Sequence, residues 1–436
     1  MSETKTCQSQ ATSHAANGVA YTPSDHVKKI ADSFAGTPHA AYATDILVNE
    51  PDFVVFTPKG NNLIMGDVYN DHFQVFDKPD GTLFAVWTQA TYEGDIDQHI
   101  AFSKSVDKGM TWSDPVTLAG SSNQTHPQLR ASWQQPMVSK SGSIYVLWNQ
   151  QVTSRGPHCG NMFGIYTDND GATWSSPKMV PMERMDRDPQ EITIPPSWCN
   201  WQRPLRLGRE GRYLVGVSRH GQARYENQSS CKVEFLQFDN IDDNPAVEDI
   251  ALTWLATNRN SLTVEHPRFG SVCEEASLVK LPDGRLFALM RTGAGHPFWS
   301  QSADNGVTWS TPKKLLDRDG GTAYLHPRSP CPIYDWRGPE AASGLYFALV
   351  HNTFDFQGKN EYQMRGPLYL IAGKFKADAE QPIEFAPMRL FARRPERNSF
   401  YTSLTVVDGK TILWFPDKKF YLLGREIGSE WFKGLQ

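Results

Sequence analysis

Ser105-Val106-Asp107-Lys108-Gly109-Met110-Thr111-Trp112, Thr167-Asp168-Asn169-Asp170-Gly171-Ala172-Thr173-Trp174 and Ser302-Ala303-Asp304-Asn305-Gly306-Val307-Thr308-Trp309 are one motif written three times. In each copy a hydroxyl residue is followed two positions later by Asp or Asn, four later by Gly and seven later by Trp. The Asp or Asn side chain can accept from the amides of its own turn, Gly can take a left-handed backbone, and Trp can cover apolar strand surface. These residues are therefore read as scaffold, not as catalysts.

Each copy follows a second, wider repeat. Gly81, Gly142, Gly211, Gly284, Gly344 and Gly409 each close a tight turn, for example Pro79-Asp80-Gly81 and Pro282-Asp283-Gly284. A strand rich in β-branched and aromatic residues follows every one. The spacings of 61, 69, 73, 60 and 65 residues are too regular for separate domains. With no helix-length pattern, they imply an all-β chain folded as a single β-propeller over residues 45–436. Six blades are countable. The stretch from Phe53 to Gly66 carries a further hairpin-like pattern, expected to complete a blade with carboxy-terminal strands.

The remaining composition bounds the partners. A net charge of −5 gives no general attraction to phosphate backbones or anionic lipid, so neither nucleic acid nor membrane is an expected partner. Residues 1–44, polar and poor in periodic apolar content, are expected to be a mobile tail without a signal peptide's apolar segment. None of the six cysteines lies in a Cys-x-x-Cys pair, which argues against zinc and leaves buried thiols or one or two bridges. The acceptor triplets at Asn123 and Asn227 fit an exported glycoprotein, and a monomer is expected.

In a propeller the starts of the inner strands and the ends of the second strands converge on one funnel. Polar and aromatic residues at those places include His72, Trp133-Gln134, Trp201-Gln202-Arg203, Glu274-Glu275, Tyr401, Arg219-His220 and Arg291. The three-copy motif resembles the Asp-box of sialidase-type propellers. That resemblance implies that Glu275, Arg291, Arg365 and Tyr401 are the family's glutamate, second and third carboxylate-binding arginines and nucleophilic tyrosine, with Asp95 or Asp97 as acid. His72-Phe73-Gln74 stands where the family has Arg-Ile-Pro, so the arginine triad is incomplete.

A second resemblance covers the histidine. His72, His99 and Arg219 are placed similarly to the residues of ulvan-type propeller lyases, with Arg203 where those have a tyrosine, and across the chain the L-rhamnose-α-1,4-D-glucuronate lyases are similar. This resemblance favours seven blades. It implies β-elimination on a rhamnose-capped glucuronate glycan of the arabinogalactan type, as in gum arabic. Removing the proton at C5 of a uronate requires a cation on the carboxylate, which Arg219 or Arg203 would supply, a base and an acid. His72 and His99 fit both proton roles, with Tyr225 as reserve donor. Trp133, Gln134, Trp201, Glu275, Arg291, Arg365 and Tyr401 would bind substrate. No cofactor is required by this chemistry, and a structural Ca²⁺ is compatible with a carbonyl-rich channel. A sialidase-type hydrolase and a non-catalytic glycan-binding propeller are the alternatives.

Overall fold

The computed structural model describes residues 21–60, 66–120, 130–151, 158–208, 211–221, 230–267, 270–338, 344–353, 364–398 and 400–435. Asn123, Tyr225, Asn227 and Cys7 lie outside them. Six antiparallel sheets form the blades. The first runs from the inside out through Tyr69–Asp77, Leu83–Ala90, His99–Ser105 and Val116–Gly120. The second is Ala131–Val138, Ile144–Gln151, Gly160–Thr167 and Lys178–Val180. In the third, two short segments, Trp198–Cys199 and Leu205–Leu207, share the inner edge before Arg212–His220, Cys231–Phe238 and Leu252–Leu255. The fourth is Cys273–Lys280, Leu286–Thr292, Phe298–Ser302 and Lys313–Lys314. The fifth is Ile333–Asp335, Leu345–Val350, Leu368–Phe375 and Ile383–Phe385.

The sixth blade closes the ring. Its inner strands are Ser403–Val407, Lys410–Asp417 and Tyr421–Glu426, and its outermost strand is Phe53–Phe56 from the other end of the chain, with Phe53 opposite Gly424. The stretch at Phe53 thus completes a blade as expected. Because it completes the sixth, the ring has the six blades counted from the hairpins, not the seven favoured by the lyase resemblance.

The core lies between blades rather than at the axis. Six hydrophobic clusters fill the six slots, for example Phe73, Val75, Trp87, Ile412 and Trp414 between the sixth and first blades. Second strands are apolar on both faces because each face meets a neighbouring blade; all eight residues of Leu83–Ala90 are buried. Within the expected tail, residues 21–44 carry a helix, Asp25–Asp32, started by Ser24 Oγ accepting from the Val27 N–H. Its Val27 and Ala31 are buried in the slot between the fifth and sixth blades, so this part is docked and not a free tail. The helix was missed because its apolar stripe is only two or three residues wide. No helix among the described residues is long and apolar enough to cross a membrane.

The repeated motif performs the same work at each site. Asp107 and Asp304 each accept from a Thr N–H at 2.8 Å and a Thr hydroxyl at 2.6 Å. Asn169 keeps the first bond at 2.9 Å and donates to the Thr173 hydroxyl at 2.8 Å instead. The tryptophans are half-buried, and each packs on an aromatic ring of the preceding blade: Trp112 on Trp414, Trp174 on Phe102 and Trp309 on Phe235. Burial pushes the Asp304 carboxyl up, but the Thr308 bonds hold it below its ordinary value. That stabilisation is therefore present above the ordinary carboxylate pKa and is lost as pH falls through the lowered folded value. Asp304→Ala is expected to cost about 1–2 kcal/mol, read as a lower urea midpoint at unchanged slope. Asp304→Asn, copying Asn169, should retain most of it; equal losses for both would show that the carboxylate, not the turn geometry, matters.

Candidate active site

Three inner strands begin with the same irregularity. Register jumps between Asp71 and Gln74, Ser132 and Gln135, and Glu274 and Ala276. Within these bulges His72, Trp133 and Glu275 have φ of 51°, 55° and 52°, a left-handed backbone that costs non-glycine residues of order 1–3 kcal/mol. Neighbouring blades hold them there. Gln134 Nε2 donates to the His72 carbonyl, Trp201 Nε1 to the Glu275 carbonyl at 3.1 Å, and the Glu275 N–H donates to Ser218 Oγ at 2.7 Å. The strain turns side chains that would enter the sheet toward the axis.

Tyr401, just before the inner strand of the sixth blade, completes the group. Its hydroxyl lies 3.0 and 3.2 Å from the two Glu275 carboxylate oxygens, and Arg291 Nη1 donates to it at 2.8 Å. Arg291 also reaches Glu275 Oε2 at 2.6 Å and Glu274 Oε1 at 3.1 Å, and Arg328 binds Glu274 from the other side. The His72 and Trp201 rings flank Tyr401 at 4.8 and 5.7 Å. Burial first, then the Glu275 charge, pushes the phenol well above its ordinary pKa, while Arg291 and Arg365 pull it down. Burial likewise holds His72 below its ordinary value against the pull of Asp71, so its imidazole is neutral at physiological pH. The arrangement provides a neutral phenol, a base in contact with it and a cation that stabilises the phenolate as it forms.

Other predicted residues fall elsewhere. Arg365 joins the group, its Nη2 donating to the Arg328 carbonyl at 2.6 Å and its charge felt at Tyr401. Trp133 stacks on His158 beside His72, and Gln134 lies fully buried beneath it, a support for the bulge rather than a substrate ligand. Arg219 lies apart from this group: wholly buried, it binds Asp188 and Glu234 at 3.2 and 3.1 Å under the Trp254 ring, because side chains alternate along its strand and it shares the face of Val215 and Val217, which fills the slot between the second and third blades. His99 is also sequestered, its ring held by the Asp97 carbonyl and Gln89. Arg203 sits with Asp77, the last residue of the strand that starts near His72, and five residues of strand place it about 16 Å away at the opposite mouth. Asp97 is occupied by the Gly66 and Thr91 amides.

Two groups escaped the sequence reading. Lys419, in the turn after Lys410–Asp417, bridges Asp71 at 2.8 Å and Glu93 at 2.9 Å and lies 5.7 Å from the Tyr401 ring centroid. A lysine in a surface-type turn carries no signal of this. Glu93, half-exposed at the rim, is the carboxyl that Lys419 holds on the open side.

Propeller, motif and funnel together define an Asp-box protein with a tyrosine–glutamate–arginine centre. The chain belongs to the BNR repeat-like domain family, which residues 81–407 match. No curated protein sequence matches it. Among solved structures it is similar to the K499G mutant of NanB sialidase from Streptococcus pneumoniae, at TM-score 0.58 and 13% identity over 87% of this chain and 70% of that one. It is also similar to the intramolecular trans-sialidase of Ruminococcus gnavus, at TM-score 0.56 and 12% identity over 87% and 99%. A third likeness is to the α-L-arabinanase of Penicillium chrysogenum, at TM-score 0.52 and 14% identity over 86% and 97%. At these identities the likeness is one of fold.

Proposed function

We propose that this protein is a glycan-processing enzyme that cleaves an acidic sugar through a covalent bond to Tyr401. The observation that carries the reading is the Tyr401 hydroxyl placed between both oxygens of Glu275 and Nη1 of Arg291. A neutral phenol approaches a carbon beside a carboxylate without the repulsion a carboxylate nucleophile would meet. Glu275 takes the phenol proton as the oxygen attacks the anomeric carbon, and Glu93, which enters the cycle in its protonated form while Lys419 stays paired with Asp71, gives that proton to the leaving oxygen. Glu93 then takes a proton from the water that releases the sugar from Tyr401, and Glu275 returns the phenol proton. Arg291 and Arg365 supply the positive charge for the substrate carboxylate.

A second reading, β-elimination on a rhamnose-capped glucuronate of the arabinogalactan type, is favoured by one feature: neutral His72 stands 4.8 Å from Tyr401 where a sialidase-type site would hold a charged arginine. With Arg219 and His99 sequestered, it would need His72 as base, Tyr401 as acid and Arg291 on the carboxylate. Product analysis separates the two. Incubation with sialylated and with rhamnose-capped glucuronate oligosaccharides is expected to release a saturated acidic sugar with no rise in ultraviolet absorbance. An unsaturated, absorbing uronate would establish elimination instead, and binding without any product would make the protein a lectin. Export and a glycan partner outside the cell are part of the same proposal.

A further inference from the structure

Beside the tyrosine centre, three soft ligands converge from three places in the sequence. His158 precedes the strand Gly160–Thr167, Cys199 ends the first inner segment of the third blade, and His220 ends that blade's second strand. One ligating atom of each lies within 4.8 Å of the others, and Cys199 Sγ is 3.5 Å from His220 Nε2. With Zn–S of about 2.3 Å and Zn–N of about 2.0–2.1 Å, the S···N edge of a tetrahedron is about 3.5 Å.

Backbone pairing and neighbouring side chains hold this triad in place. The His158 carbonyl accepts from the Trp198 N–H and Asn149 Nδ2, each at 2.9 Å. Ser197 accepts from the His220 N–H at 2.8 Å, and Cys199 pairs in register with Ser218. Trp133 stacks on the His158 ring at 4.4 Å and fixes its plane. His220 also lines a cavity of about 320 Å³ shared with Arg187, Glu191 and Gly221. His220, Cys231 and Glu274 form a second close group, but Glu274 already serves two guanidiniums, so its oxygens compete poorly as ligands.

We infer that His158, Cys199 and His220 bind Zn²⁺, leaving the fourth position open toward the cavity. A thiolate with two imidazoles suits zinc rather than Ca²⁺ or Mg²⁺, and three protein ligands with one open position are the pattern of zinc that takes up water or substrate. The inference is independent of the chemistry proposed at Tyr401. It departs from the expectation drawn from cysteine spacing: these ligands stand 41 and 21 residues apart and meet only because blades bring strand ends together.

The test uses the full chain, purified with a non-chelating phosphine reductant, dialysed against Zn²⁺ and then metal-free buffer, and assayed by elemental analysis. About one equivalent of zinc should remain, and added Zn²⁺ should raise the melting temperature. Co²⁺ in its place should give a thiolate-to-cobalt charge-transfer band and tetrahedral visible bands. Cys199→Ser should remove the charge-transfer band, and His158→Ala, at the one ligand of the three that is not fully buried, should lower retained metal at least tenfold; Cys331→Ala, at a buried thiol elsewhere, should leave both unchanged. Retention below about a tenth of an equivalent, an octahedral cobalt spectrum, or undiminished uptake by folded His158→Ala would each overturn the site.

Discussion

Tyr401→Phe is expected to lower kcat by roughly 10⁴-fold or more while leaving the protein folded, the scale reached when a nucleophile is removed. The substitution deletes one oxygen and keeps the ring between His72 and Trp201. Glu275 and Arg291 remain paired with each other at 2.6 Å, so no buried charge is left alone. The stability change should therefore stay near 1 kcal/mol. Glu275→Gln should cost less, about 10²–10⁴-fold, as loss of a base that serves a still-present nucleophile. Turnover of an acidic aryl glycoside measures both, and intact-protein mass spectrometry with a slow fluorinated substrate should find the sugar on Tyr401. Near-normal turnover by Tyr401→Phe would remove the covalent reading altogether.

Arg219→Met should act on the opposite quantity. It is expected to destabilise the fold by about 3–5 kcal/mol, because Asp188 and Glu234 stay buried without their shared cation. The methionine can fill the volume under Trp254 but cannot answer two carboxylates. In the fraction that remains folded, kcat should be unchanged, since nothing in the Tyr401 group touches this guanidinium. Urea unfolding followed at low temperature, with rates corrected for folded fraction, separates the effects. A large fall in kcat at an unchanged midpoint would return Arg219 to the active site.

These two residues mark where sequence reading succeeds and where it stops. Tyr401, Glu275 and Arg291 were legible because each sits at a fixed place in a repeat, just before or after a blade hairpin, and repeats convert sequence position into radial position, whereas Arg365 came into view only through the resemblance to sialidase-type propellers. Arg219 occupies such a place too, yet faces the slot between the second and third blades. One residue of register decides which face a strand side chain takes, and the third blade's split inner edge was not visible in the turn spacing. Arg203 fails for a related reason: that split edge carries the chain to the other mouth of the channel before the next hairpin. Lys419 and Glu93 lie in turns, where sequence says little about direction.

The sequence by itself determined the all-β ring, its six hairpins and the function of the three Asp-box turns, because those rest on local backbone preferences and short-range hydrogen bonds that recur wherever the motif is written. It also brought the tyrosine, the glutamate and two arginines into view. The tertiary structure alone decided which polar residues share a site: Tyr401 meets Glu275 across 126 positions, and His158, Cys199 and His220 converge from separate strand ends. Such convergence depends on bulges, register and blade closure, each set by packing between segments distant in the chain rather than by the residues on either side.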